Sequence, residues 1–423
     1  MNLENLFKKT FPIFSIIVLI ILSFYVIRFA FLPGWENINS DFPNYYTSSK
    51  LILEGEDLEN IYNDFWFQQN IKKYGMNDKG KFSPFPPVTS FVMLFPALFN
   101  PITAKRIYLS INFLLLFFSA YIFYKITNIS FINCMIIILL SGVAIINNFL
   151  LGQFYLLLLF LIVLGYYLTV IKKPLYGGLL WGIGAAVKYF PFVFLPAFLK
   201  KNNQKVLLGF FISVAILNFI GIYIFGWGVY KNFIVSAFLP HLNGELSHQS
   251  QFAHQFQSWN SFLRIVFVFN PVANPNPFIN WVFGFTIIKT FIYIIVLVFT
   301  VLSFVKLKDH IDENSLHLSL LSVAMLLLSP ASASYHYILL VFPTILILTH
   351  SIKRKELIYG LSFLIIYSLI GFLPMLLHRI IVNYETNLFF SFHRLWLITI
   401  YFILLIYFLF KVTKKEKVNK NNN

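Results

Sequence analysis

Apolar runs of about 17 to 25 residues recur from Phe11 to Phe410, each long enough to cross a hydrocarbon core roughly 30 Å thick. Spanning strands would alternate in polarity over about 10 residues. Segments such as Phe291 to Val305 are instead apolar on every side. Helices satisfy their own backbone in lipid, so they are the remaining solution. The pattern predicts an all-α, polytopic integral membrane protein with about 12 transmembrane helices. They are expected over 11 to 33, 86 to 99, 107 to 124, 129 to 147, 149 to 171, 175 to 199, 206 to 226, 281 to 305, 316 to 329, 335 to 350, 356 to 377 and 392 to 411. The Pro-flanked stretch 86 to 99 is short for a crossing and reads equally as tilted, broken or re-entrant. Phe11 to Pro33 is too long for a signal h-region and lacks a small-residue cleavage site, so it reads as a first anchor.

Two loops break the hydrophobic pattern. The first, 34–85, holds Glu36, Asp41, Glu54, Glu56, Asp57, Glu59, Asp64 and Asp78, eight of the chain's 16 acids. The second, 227–280, is rich in His, Gln, Asn and Pro. The rest of 1–423 reads as one transmembrane domain ending in a basic tail, 411–423. In the first loop, apolar or aromatic residues at 42, 45, 46, 52 and 53 follow helical spacing. Ser40 or Asp41 can cap that helix, Pro43 suits its first turn and Gly55 ends it. An amphipathic helix lying on the membrane surface is expected there, with Asp41 at its N-terminus, where the helix dipole favours the carboxylate. The bland alternative makes Asp41 a cap and nothing more.

Composition agrees with the pattern: 58% of residues are hydrophobic, 11% are charged, and mean hydropathy is +0.76. A water-soluble domain carries about 25% charged residues and is excluded. The net charge of +16 resides largely in short Lys/Arg clusters at helix ends, which the positive-inside rule explains without nucleic acid. That rule places both termini in the cytoplasm and the two loops outside. Lys105 and Arg106 then fall in the cytoplasm, and Lys172 and Lys173 become the exception on the outer side. Cys134 is the single cysteine, so disulfides and Cys-based metal sites are excluded. His241, His248 and His254 with Glu245 form no compact metal motif. No cofactor is expected, and a divalent metal stays open.

The string Asp41-Phe42-x-x-Tyr45, then Leu53-x-Gly55, Ile61-Tyr62 and Pro84-x-Pro86-Pro87, resembles the start of glycosyltransferase family 87. These are polyprenyl-phosphate-mannose-dependent mannosyltransferases and relatives with the C-type membrane glycosyltransferase fold. The likeness continues through Leu151-Gly152-Gln153, Gly177-Gly178-x-x-x-Gly182-x-x-x-Ala186-x-Lys188-x-x-Pro191, Gln257-Ser258-x-Asn260-Ser261-x-x-x-Arg264 and Ser329-Pro330 with Tyr335-His336-Tyr337. Each motif is weak alone; their common order is more specific. The resemblance implies transfer of mannose, or another hexose or pentose, from a polyprenyl-phosphate donor to a hydroxyl of a lipid-linked or cell-envelope acceptor. It implies inversion at the sugar and a site on the outer face of a prokaryotic plasma membrane.

Such chemistry needs a base for the acceptor hydroxyl and cationic or hydrogen-bonding partners for the departing phosphate. By resemblance Asp41 is the base. His336, in a polar break between two apolar runs, and Arg264 are expected at the phosphate. Lys188, Gln153, Gln257 and Asn260 are further substrate-binding candidates by motif. Tyr45, Tyr62 and Trp259 could stack on sugar rings or merely belong to the interfacial belt. Arg28, Arg379 and Arg394 fit snorkelling to headgroups. A lipid-linked polysaccharide ligase or polymerase, and a transporter or flippase, are the competing readings.

Overall fold

The structure is a computed structural model. It describes residues 3–38, 41–199, 203–245, 250–308, 310, 312–380 and 387–421, with backbone alone for 3–11, 378–380 and 414–421. Ser40, one candidate cap, and His248 lie outside the described residues. The fold is 77% helical, and among the described residues the only β-pairing is an isolated bridge between Asn270 and Asn274. The all-α class is as expected. Among the described residues seven helices are long and apolar enough to cross a membrane: Pro12–Glu36, Pro101–Ile126, Gln204–Phe225, Val282–Leu307, Ser334–Lys353, Leu357–Leu377 and His393–Thr413. An eighth crossing is available if Phe131–Leu139 and Val143–Leu150, bent by 80°, act together. Tyr155–Val170, Pro174–Val187 and Glu313–Leu328 are apolar but shorter.

Contacts divide the chain into two compact units, Met1–Pro191 with Lys201–Ser236, and Phe192–Lys200 with Ala237–Asn423. In the first unit the loop helix forms at Phe42–Glu54, with Pro43 in its first turn and Gly55 closing it at φ 68°. Glycine is the residue that tolerates this left-handed cap. The expectation of a surface helix is corrected: Phe42, Tyr45, Tyr46, Ser48, Ser49 and Leu51 are all buried. Two of its serines are paired internally, Ser48 to the Tyr45 carbonyl and Ser49 to the Ser90 carbonyl.

The stretch 86 to 99 makes two 3-10 segments, Pro87–Met93 and Pro96–Leu98, rather than a crossing. Prolines at 86, 87 and 96 remove backbone donors, and Val88, Met93 and Ala97 pack into the core beneath the loop helix. The Tyr46 hydroxyl donates to the Phe99 carbonyl at 2.8 Å, so the chain is still at the loop end when Pro101–Ile126 begins. Consequently Lys105 and Arg106 lie at the Asp41 end of this unit, while the 26-residue helix carries Lys125 about 30 Å away. Helix Tyr155–Val170 leaves the same end and takes Lys172 and Lys173 to the far one. Pro174–Val187 then returns, placing Lys188 back beside the loop. Relative to Asp41, these two basic pairs occupy ends opposite to those the sequence suggested.

The glycine motif is a packing device. A Cβ at Gly178 would stand 2.0 Å from the Val206 carbonyl oxygen, and one at Gly182 would stand 2.3 Å from that of Phe210. The matched steps, 178 to 206 and 182 to 210, show that Pro174–Val187 and Gln204–Phe225 run parallel in close contact.

In the second unit Ser334–Lys353 is the central helix, 89% buried along its apolar window. Val282–Leu307, at 17%, presents most of its surface outward.

Candidate active site

Asp41 occupies the N-cap position of Phe42–Glu54 but its side chain caps nothing. It turns instead to Gln153, whose Nε2 donates to Asp41 Oδ2 at 2.6 Å. Gln153 is fixed from every side. Its Oε1 accepts from the Tyr45 hydroxyl at 2.7 Å, its amide donates to the Asn148 carbonyl, and its own carbonyl accepts from Asn112 Nδ2. The preceding Gly152 makes this turn possible: it sits at φ 67°, and a Cβ there would meet Phe42 at 3.0 Å. Lys105 braces both strands of the site, donating to the Asn37 carbonyl at 2.8 Å and the Leu150 carbonyl at 2.9 Å.

Lys188 is held near the acid because Thr89 Oγ1 donates to the Val187 carbonyl at 2.7 Å. Its buried ammonium lies 4.4 Å from the centre of the Phe85 ring and makes no hydrogen bond among the described residues. Phe85 in turn packs against Tyr45, with centroids 5.1 Å apart. Burial pushes the Asp41 carboxyl up from 3.8 to about 6; the Gln153 hydrogen bond and the positive charges of Lys188 and Lys81 oppose that rise. Burial lowers the Lys81 ammonium to about 8 against the attraction of Asp64 and Asp41. The first unit thus assembles a half-buried carboxylate, a rigid amide donor and two lysines.

Tyr45, expected to stack on a sugar, is fully buried and serves the site by orienting Gln153. Tyr62 likewise donates to the Phe85 carbonyl at 2.7 Å, and Trp259 packs edge-on against Trp396.

In the second unit Gln257 ties several segments together. Its Nε2 hydrogens go to the carbonyls of His254 and Ser391, its Oε1 accepts from the Arg394 amide, and its backbone pairs with Ser332 and the Tyr337 hydroxyl. Both side-chain hydrogens are therefore committed. Arg394, expected to snorkel, is buried in the same network. Asn260 Nδ2 reaches the Pro330 carbonyl at 3.4 Å, and its buried Oδ1 has no partner among the described residues. His336 Nδ1 accepts from the Ala333 amide at 3.1 Å. That bond places the ring proton on Nε2, so His336 is suited to donate as a neutral ring rather than attract as a cation. Arg264 is half-buried, its guanidinium carbon 4.9 Å from the Phe285 ring centre. His254 is engaged with Ser391 Oγ at 3.0 Å, and among the described residues no three potential ligands form a metal site.

Sequence reasoning missed Lys81 and the bracing role of Lys105. Lys105 looked like a topological marker because it adjoins Arg106 at a helix start, and nothing local distinguishes a bracing lysine from an interfacial one.

An all-helical membrane protein with a desolvated acid, a fixed amide donor and a buried lysine is equipped to handle a polar headgroup at the edge of lipid. The profile of glycosyltransferase family 87 matches residues 84–330, more than half of the chain. The chain belongs to that family and is a membrane glycosyltransferase. No curated protein matches it. The matched region begins at Pro84, so Asp41 precedes it and its assignment stands on geometry and on the motif around it.

Proposed function

We propose that this protein transfers a sugar, mannose or another hexose or pentose, from a polyprenyl-phosphate donor to a hydroxyl of a lipid-linked or cell-envelope acceptor. The reaction takes place on the outer face of the cell membrane. The observation that carries the reading is the Asp41–Gln153 pair. Gln153 occupies one carboxylate oxygen at 2.6 Å, leaving Oδ1 to receive a proton, and burial lifts the acid to about 6. A carboxylate there remains mostly ionised near neutrality, yet is a stronger base than an exposed aspartate.

The acceptor O–H approaches Asp41, its oxygen attacks the anomeric carbon from the face opposite the phosphate, and the proton passes to Oδ1. The bond between anomeric carbon and phosphate oxygen breaks, and polyprenyl phosphate leaves with the electron pair. A phosphate is a good leaving group without protonation, so one carboxylate suffices and the sugar configuration inverts. The negative charge left on the phosphate calls for a cation such as Lys188, which belongs to the same unit as Asp41. The second unit, taken by itself, offers Arg264 and the Nε2–H of His336 to a lipid phosphate.

The test is transfer of radiolabelled sugar by purified protein from a polyprenyl-phosphate donor. Asp41→Asn keeps the size and one oxygen but cannot take the proton, so transfer falls at least ~10²-fold. Near-wild-type transfer by that variant would remove Asp41 from the mechanism.

A further inference from the structure

Lys289 lies about 10 Å along the outward-facing helix Val282–Leu307, well inside the apolar stretch. An ionisable side chain at such depth requires a reason. Its ammonium is 4.8 Å from the centre of the Phe285 ring, whose other neighbour is the Arg264 guanidinium at 4.9 Å. The two positive charges are therefore under about 10 Å apart around one buried ring. Among the described residues neither forms an ion pair or a side-chain hydrogen bond, and Glu245 attracts Arg264 only from a distance. Two buried donors have no partner among the described residues: Arg264 Nε and, one turn beyond Lys289, the Tyr293 hydroxyl.

Like charges repel most strongly where water is scarce, and a ring face compensates each only in part. Two cations on one ring, with two buried donors that have no partner among the described residues, match a tetrahedral anion with several acceptor oxygens. Because Lys289 is carried by an apolar helix surface, that anion must arrive attached to a membrane-embedded chain. The geometry points to a lipid-phosphate site formed by Arg264, Lys289 and Tyr293 on Phe285. It deepens the proposed function, in which Arg264 is offered to a lipid phosphate, by adding Lys289 and Tyr293. The same chemistry fits a polyprenyl phosphate or the phosphate of a bulk anionic phospholipid.

Binding of farnesyl phosphate and, separately, of phosphatidylglycerol to detergent-purified protein distinguishes these sources. Lys289→Met, which retains the apolar stem, should weaken farnesyl phosphate at least ~10-fold, and Tyr293→Phe should weaken it ~3-fold. A loss confined to phosphatidylglycerol would keep the anion site but make a bulk lipid its occupant. Undiminished binding of both lipids by either folded variant overturns the site, and Tyr293→Phe decides if Lys289→Met does not fold. Asp41→Asn should bind farnesyl phosphate like the wild type. A failure of the base assignment therefore appears in transfer, and a failure of the phosphate site appears in binding.

Discussion

A carboxyl raised to about 6 couples activity and stability to pH in opposite senses. In the fold Asp41 holds its proton more tightly than the ordinary 3.8. Its contribution to stability is therefore complete below about 4 and is lost as pH rises through about 6, on the order of 2 kcal/mol after allowing for its partial exposure. Catalysis needs the ionised form, so kcat/KM should climb with an inflection near 6. Thermal unfolding of the wild type and Asp41→Asn compared from pH 4 to 8 checks the first part. The Asn variant should become the more stable protein above pH 6, and midpoints that stay parallel across that range would show that burial does not perturb the acid. Little of this was legible beforehand: the sequence marked Asp41 through its motif and helix start. The Gln153 and Lys188 side chains that temper the effect of burial are far away along the chain.

Among the elements, the two parallel glycine-contacted helices hold Lys188 in place. Gly178→Leu cannot be accommodated 2.0 Å from the Val206 carbonyl, a backbone atom. It should force the helices apart and destabilise the protein by about 3 kcal/mol, the upper part of the range for overpacking. The folded fraction eluting as a single species from size exclusion measures this, and an unchanged profile would show that the contact is dispensable. Helix Phe42–Glu54 was readable because Pro43, the 3.6-residue spacing and Gly55 all act locally. Its burial was not, because the residues that cover it, such as Phe82, Val88 and Tyr108, arrive from elsewhere. The stretch 86 to 99 misled because hydropathy cannot separate an apolar segment facing lipid from one facing protein; its prolines were the better signal.

For the molecule as a whole, most long apolar helices were legible, since hydrocarbon imposes length and composition at once. Which end each basic pair occupies was not, because a single misassigned crossing reverses every later one. In the first unit Lys125, Lys172, Lys173 and Lys205 lie at the end away from Asp41, the distribution the positive-inside rule expects if the acid faces outward. Cysteine at position 172 should thus be labelled only from the cytoplasmic side and cysteine at Asn77 only from outside; the reverse pattern at either position would invert the orientation.

The hydrogen bond between Asp41 and Gln153 joins residues separated by 112 positions. On a ribosome making about 5–20 residues per second, that interval lasts on the order of 6–20 s. The acid emerges first and waits at the water interface with the acidity of any exposed aspartate. Its amide partner and then Lys188 are threaded into the bilayer after it. In the proposed mechanism the newborn chain is inert by construction, and its chemistry switches on only when the later crossings have closed over the first loop.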